Sequence, residues 1–129
     1  MGRIPIIQLD DLLIVTVLEE LRDHDALALQ QDLAESLQRV GARGVLLDLS
    51  VVETLDSFLG RLLSEIAAVA RLLGAATVVV GIQPAVAITL VELGLELKGI
   101  PTALNPRKGM VLLRRLIVGG DGPRPQYAD

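Results

Sequence analysis

The apolar pattern of this chain predicts an α/β domain built on a mixed β-sheet. Three observations carry that expectation. Residues 4–9 and 12–17 are β-type runs separated only by Asp10 and Asp11, so the chain opens on an antiparallel hairpin with no room for a helix between its strands. Apolar strands then alternate with helical stretches, giving the order β-β-α-β-α-β-α-β-α, in which the later strands pair parallel through right-handed crossovers. Finally, 129 residues, 51% of them hydrophobic, suffice for one domain with a core of its own and leave no room for a second domain.

Each element after the hairpin has its own signature. Over residues 25–40 the apolar positions Ala26, Leu29, Leu33, Leu37 and Val40 step by three and four, with Gln30, Asp32, Glu35 and Arg39 on the other faces and Gly41 as the stop. Residues 45–49 are almost continuously apolar, in the manner of a buried parallel strand. A second helix spans residues 56–73, marked by Leu59, Leu62, Leu63, Ile66, Ala70 and Leu73 and ended by Gly74. Residues 77–80 form the next strand. Gly81 to Pro84 turn the chain into a third helix over residues 85–93, where proline at the head costs no hydrogen bond. Residues 100–104 read as a short edge strand, because Pro101 cannot donate to a central ladder. Asn105 and Pro106 introduce a closing helix over residues 107–116, with Met110, Leu113 and Leu116 inward. The domain is expected over residues 1–118, with the Gly- and Pro-rich residues 119–129 as a disordered tail.

Composition removes several function classes. One Phe, one Tyr and no Trp leave a core of Leu, Val, Ile and Ala and no aromatic platform for stacking bases. A net charge of −4 offers no overall basic field for a phosphate backbone, so nucleic acid is not an expected partner. The charge is unevenly spread: residues 1–65 hold 12 acids and 5 bases, residues 66–129 hold 4 acids and 7 bases. An acidic front and a basic back suit head-to-tail assembly or a charged partner. Without cysteine there is no disulfide, thiolate nucleophile or Cys-ligated metal, and no cofactor is expected. The start of the chain has no export signal, which makes the cytoplasm the expected location. Residues 72–91 are uncharged over a membrane-spanning length, but Gly74 and the Gly81 to Pro84 turn break them into strand, turn and helix, so no membrane span is expected.

No catalytic constellation stands out. His24, the single histidine, lies between two aspartates at a helix entrance, where a solvated side chain is the ordinary role. Ser57 lacks the Gly-x-Ser-x-Gly elbow. Gly94 and Gly99 have the outer spacing of a phosphate loop, but Ile100 and Pro101 occupy the places of its Lys and Ser/Thr. Asp48, at a strand end, invites comparison with aspartyl-phosphate receivers, with Asp10 and Asp11 as the acids. The missing first helix and the lack of lysine in residues 100–104 argue against it, and Asp48 is read as capping the following turn. Glu53, Asp56 and Ser57 make an acidic corner at the start of the second helix. Asp and Ser are the ordinary N-capping residues, yet a hydroxyl beside unpaired N–H groups at the positive end of a helix also tolerates an added phosphate.

The stretch Val45-Leu46-Leu47-Asp48-Leu49-Ser50, followed by Leu55-Asp56-Ser57-Phe58, resembles the signature of STAS domains, the family of anti-sigma-factor antagonists with the SpoIIAA-like fold. Gly81-Ile82-Gln83-Pro84-Ala85-Val86-Ala87 is similar to the RsbS-type scaffolds of the stressosome branch, and the likeness extends over residues 4–116. It implies a non-catalytic phosphoprotein in stress signalling, modified on Ser57 by an RsbT-type serine kinase that it sequesters until then. It also implies self-association and assembly with RsbR-type co-antagonists. Glu53, Asp56, Ser57 and Phe58 become the implied partner-binding residues. Thr89 resembles a region where co-antagonists carry a second phosphorylated threonine, although a hydroxyl bonded within its own helix is the plainer role. Two alternatives remain at this stage: a stand-alone antagonist that binds an anti-sigma kinase without a shell, and a ligand-binding STAS module like those fused to transporters.

Overall fold

A computed structural model of the chain describes residues 4–18, 23–95, 97 and 99–121. The opening hairpin forms around Asp10 and Asp11. Strands β1 (Ile6–Leu9) and β2 (Leu12–Thr16) pair antiparallel with Leu9 opposite Leu12, leaving a two-residue loop in which Asp10 sits at φ 55°. Tight hairpin loops need left-handed backbone, and Asp is among the few residues other than glycine that adopt it readily. Arg114 clasps both loop carboxylates, reaching Asp11 at 2.6 Å and Asp10 at 3.3 Å.

Parallel strands follow in chain order. β3 (Gly44–Asp48) pairs with β2, β4 (Ala76–Val80) with β3, and the two-residue β5 (Thr102–Ala103) with β4, so the sheet order is β1-β2-β3-β4-β5. Since each new parallel strand is added on the same side, right-handed crossovers carry α1 (Asp23–Val40), α2 (Ser57–Leu72) and α3 (Pro84–Glu92) to one face. Helix α4 (Pro106–Asp121) follows the last strand and folds back over the other face.

Strand alternation feeds two cores. Leu13, Val15, Val45, Leu47 and Val79 meet Leu29, Leu33, Leu37, Leu63 and Ile66 in the larger one. Leu12, Leu46, Val78 and Val80 surround Leu113 in the smaller, with Met110 and Leu116 against it. Helix α4 lies close on the sheet at Gly109, where a Cβ would come within 2.2 Å of Val80 Cγ1; glycine there is a packing requirement. Thr77 carries a buried hydroxyl without a partner, the one such side-chain atom among the described residues.

The expected mixed sheet, four helices and element order are all present. β1 and β5 are shorter than the expected runs 4–9 and 100–104, and two helix ends move by two residues or more. α1 begins at Asp23 rather than at residue 25, because Asp23 and Asp25 both favour the first turn of a helix. α4 continues past Leu116 to Asp121, since Ile117 still packs on the smaller core. Of the tail expected from 119, residues 122–129 lie outside the described residues. The uncharged residues 72–91 divide into the end of α2, a turn, β4 and α3, and no helix among the described residues is long and apolar enough to cross a membrane.

Candidate functional site

Two strand-to-helix loops meet at the carboxyl end of the sheet. In the first, between β3 and α2, Asp48 ends its strand as expected: its Oδ1 accepts from the Ser50 backbone N–H at 2.9 Å, which tightens the turn. Leu49, Val52 and Leu55 are buried and pin the loop to the core, while Ser50, Val51, Glu53, Thr54 and Asp56 face outward. This alternation fixes a loop that has no ladder of its own.

The loop ends on a helix cap. Asp56 is in extended conformation, φ −107° and ψ 176°, and its carboxylate accepts from the Leu59 N–H at 2.9 Å. Ser57 is therefore the first residue of α2 rather than its cap, and it is exposed. Phe58, half-buried, turns back onto the larger core. Behind them Leu59, Leu62, Leu63, Ile66, Ala67 and Ala70 anchor α2, so the Ser57 hydroxyl is carried on a rigid element with first-turn N–H groups beside it.

The second loop, between β4 and α3, buttresses the first. Gly81 sits at φ 76°, and a Cβ on it would stand 3.0 Å from Asp48 Oδ1 and from Ser50 N. Two requirements, left-handed backbone and close approach, converge on that glycine. Gln83 donates from Nε2 to the Ser50 carbonyl at 2.8 Å. This tie escapes a reading of the sequence that sees only a turn from Gly81 to Pro84. The available signal is a single amide side chain, immediately before the proline, in a stretch with no charge at all.

Glu53, Asp56, Ser57 and Phe58 are thus brought to one corner. Thr89 is not part of it: it lies on α3, half-buried, with its hydroxyl donating to the Ala85 carbonyl at 3.0 Å. His24 is exposed on α1 beside Asp25 at 3.4 Å, and no hydrogen bond joins it to Ser57 among the described residues. Among the same residues no group of His, Asp and Glu is arranged to hold a metal. A cavity of about 460 Å³ opens at the other end of the strands, beside Arg43, Arg71 and Ile100. The corner therefore presents an accessible hydroxyl at the first turn of a helix, with the carboxylates of Glu53 and Asp56 close to it in sequence.

The model of the STAS domain family matches residues 3–107. A serine-to-glutamate form of RsbS from Moorella thermoacetica superposes with a TM-score of 0.77 at 42% identity, covering 89% of this chain and 97% of that one. A structure of the stressosome, described as a signal integration and transduction hub, gives 0.77 at 43% identity, over 87% and 97% of the respective chains. The anti-sigma factor antagonist SpoIIAA in its unphosphorylated form superposes at 0.65 over 87% and 97% with 9% identity, a likeness of fold alone. A comparison with curated proteins found no match.

Proposed function

We propose that this chain, which belongs to the STAS-domain family, is a non-catalytic stressosome scaffold that holds an RsbT-type serine kinase and releases it when Ser57 is phosphorylated. One observation carries the reading: Asp56 takes the capping role at 2.9 Å, leaving the Ser57 hydroxyl exposed and uncommitted to the cap on a helix that is anchored behind it. Had Ser57 been the cap, its oxygen would have been occupied by the backbone and its modification would have cost the helix about 1 kcal/mol.

The transfer itself is simple. Ser57 Oγ attacks the γ-phosphorus of the kinase's ATP, the hydroxyl proton passes to a base on the kinase, and ADP leaves. The product adds roughly −1.5 to −2 charges beside Glu53 and Asp56, which repel it, and beside the α2 N-terminus, which attracts it. Those opposed effects leave the fold standing and change the surface. An unpaired charge at the centre of an interface costs several kcal/mol, and about 4 kcal/mol shifts a contact roughly a thousandfold. That suffices for release. RsbR-type co-antagonists complete the assembly in this reading, a role supported by the likeness to RsbS and to the stressosome structure.

The test is retention of the kinase on immobilised scaffold in the presence of ATP. The wild-type chain should lose it as Ser57 is modified, whereas Ser57→Ala should keep it. Release from the alanine chain at the wild-type rate would overturn the proposal.

A further inference from the structure

A proline leaves the amino end of β4 open. β5 pairs with β4 only at Val79 and Val80, where the Val79 N–H donates to the Pro101 carbonyl at 3.1 Å. Two residues back along that parallel ladder, the Thr77 carbonyl should accept from the N–H of residue 101, and proline has none. The side chain of the same residue is also unsatisfied: Thr77 is 7% exposed and its Oγ1 has no hydrogen-bond partner. A buried, unpaired hydroxyl weakens a fold that valine, of the same shape, would serve better.

Thr77 lines the cavity of about 460 Å³ at this rim of the sheet, a size within the roughly 300–1,000 Å³ of small-molecule sites. The remaining wall divides by chemistry. Ala67, Ile100, Leu116 and Ile117 are apolar, Arg43 and Arg71 are cationic, and among the described residues no carboxylate lines it. Arg43 is held at the foot of β3 by its backbone N–H on the Asp11 carbonyl at 2.8 Å. Arg71 stands exposed in the last turn of α2. Guanidinium groups pair with carboxylates through two parallel hydrogen bonds, and a buried hydroxyl asks for a polar group that comes to it. That group is better a hydroxyl than an ammonium, which two nearby arginines would repel.

We propose that this cavity binds a small hydroxylated organic acid, its carboxylate on Arg71 and Arg43, its carbon skeleton against Ala67 and Ile100, and its hydroxyl at Thr77. Ser57 lies at the opposite rim of the sheet, so ligand binding here and kinase release there can fail independently.

Heteronuclear NMR titration of the full chain with 4-hydroxyphenylacetate is the test. Amide shifts at Arg43, Thr77 and Ile100 should saturate with half-effect at about 1 mM or below, and the melting temperature should rise with the acid. Phenylacetate, which lacks the hydroxyl, and 4-hydroxyphenylacetamide, which lacks the charge, should each bind roughly tenfold more weakly. Arg71→Gln should weaken the acid by a similar factor while keeping the wild-type circular dichroism, since the position is exposed. Thr77→Val should melt higher than wild type and lose the preference for 4-hydroxyphenylacetate over phenylacetate; if it fails to fold, Thr77→Ala serves in its place. No saturable shift with this acid or with 6-hydroxyhexanoate would overturn the proposal. So would equal binding of the three aromatic probes, an undiminished preference in the Thr77 variant, or the same shifts produced by inorganic phosphate alone.

Discussion

The entrances of α2 and α3 occupy equivalent places, each following a parallel strand at the same rim of the sheet, yet they are built to opposite ends. α2 is capped by a carboxylate and anchored by six apolar side chains, so it holds its first turn still. α3 begins with Gln83 and Pro84, has no side-chain cap, and buries only Val86 and Leu90, while Ile88 and Val91 remain exposed. Its capping residue is turned away to bond the Ser50 carbonyl of the neighbouring loop. One strand-to-helix unit presents a hydroxyl and the other braces the loop that presents it. The proposed switch draws on both, because a hydroxyl on a mobile loop would give a kinase no defined target.

Core truncations should break this contrast most visibly. Leu63→Ala in α2 removes a side chain that is fully buried and should cost about 2–5 kcal/mol. Val86→Ala in α3 removes less volume from a lighter attachment and should cost about 2 kcal/mol. Denaturant unfolding measures both, and a larger loss from Val86 would mean that α3, not α2, is the anchored helix. The caps sharpen the comparison at smaller scale. Asp56→Ala should lower stability by about 1 kcal/mol and increase hydrogen exchange in the first turn of α2. Gln83→Ala should cost about 0.5–1.5 kcal/mol, with its exchange change in the Asp48 to Glu53 loop rather than in α3 itself. Increased exchange confined to α3 would identify Gln83 as an ordinary cap.

The smallest effect lies at the hairpin and serves as a control. Hydrogen bonding to Arg114 holds the Asp11 carboxyl below its ordinary range. A lowered folded-state value contributes stability above the unfolded pKa of about 3.9 and loses it as pH falls through the folded value. Melting temperature should therefore fall below pH 4 more steeply in wild type than in Arg114→Met, with no change in the contrast between α2 and α3. Equal acid slopes would deny Arg114 that role.

Much of this was legible in the sequence because the signals are local. The Asp10-Asp11 loop, the three-and-four spacing of Leu29, Leu33 and Leu37, and the glycine stops at Gly41 and Gly74 depend on neighbours within a turn or two. The same holds for Ser57 at the start of α2, since Asp56 is its immediate neighbour. What distinguishes a cap from an exposed acceptor is finer, a matter of which of two adjacent oxygens meets the Leu59 N–H, and only geometry separates them. Gln83 was invisible for another reason: its partner, Ser50, lies 33 residues away, and no spacing rule within one element reaches so far. The continuation of α4 beyond Leu116 was likewise set by Ile117 meeting the sheet, a contact that outweighs the poor helix propensity of the Gly119 that follows.

The identity of sheet order and chain order also bears on how the protein is made. Each strand finds its neighbour in the segment synthesised just before it, so pairing can advance as the chain leaves the ribosome, without waiting for distant partners. The second face is different. Leu12, Leu46, Val78 and Val80 are complete long before α4 emerges to cover them, and until then a growing chain shows an aliphatic stripe to the cell. A chain interrupted before Pro106 should accordingly be a substrate for chaperones and proteases rather than a smaller working domain.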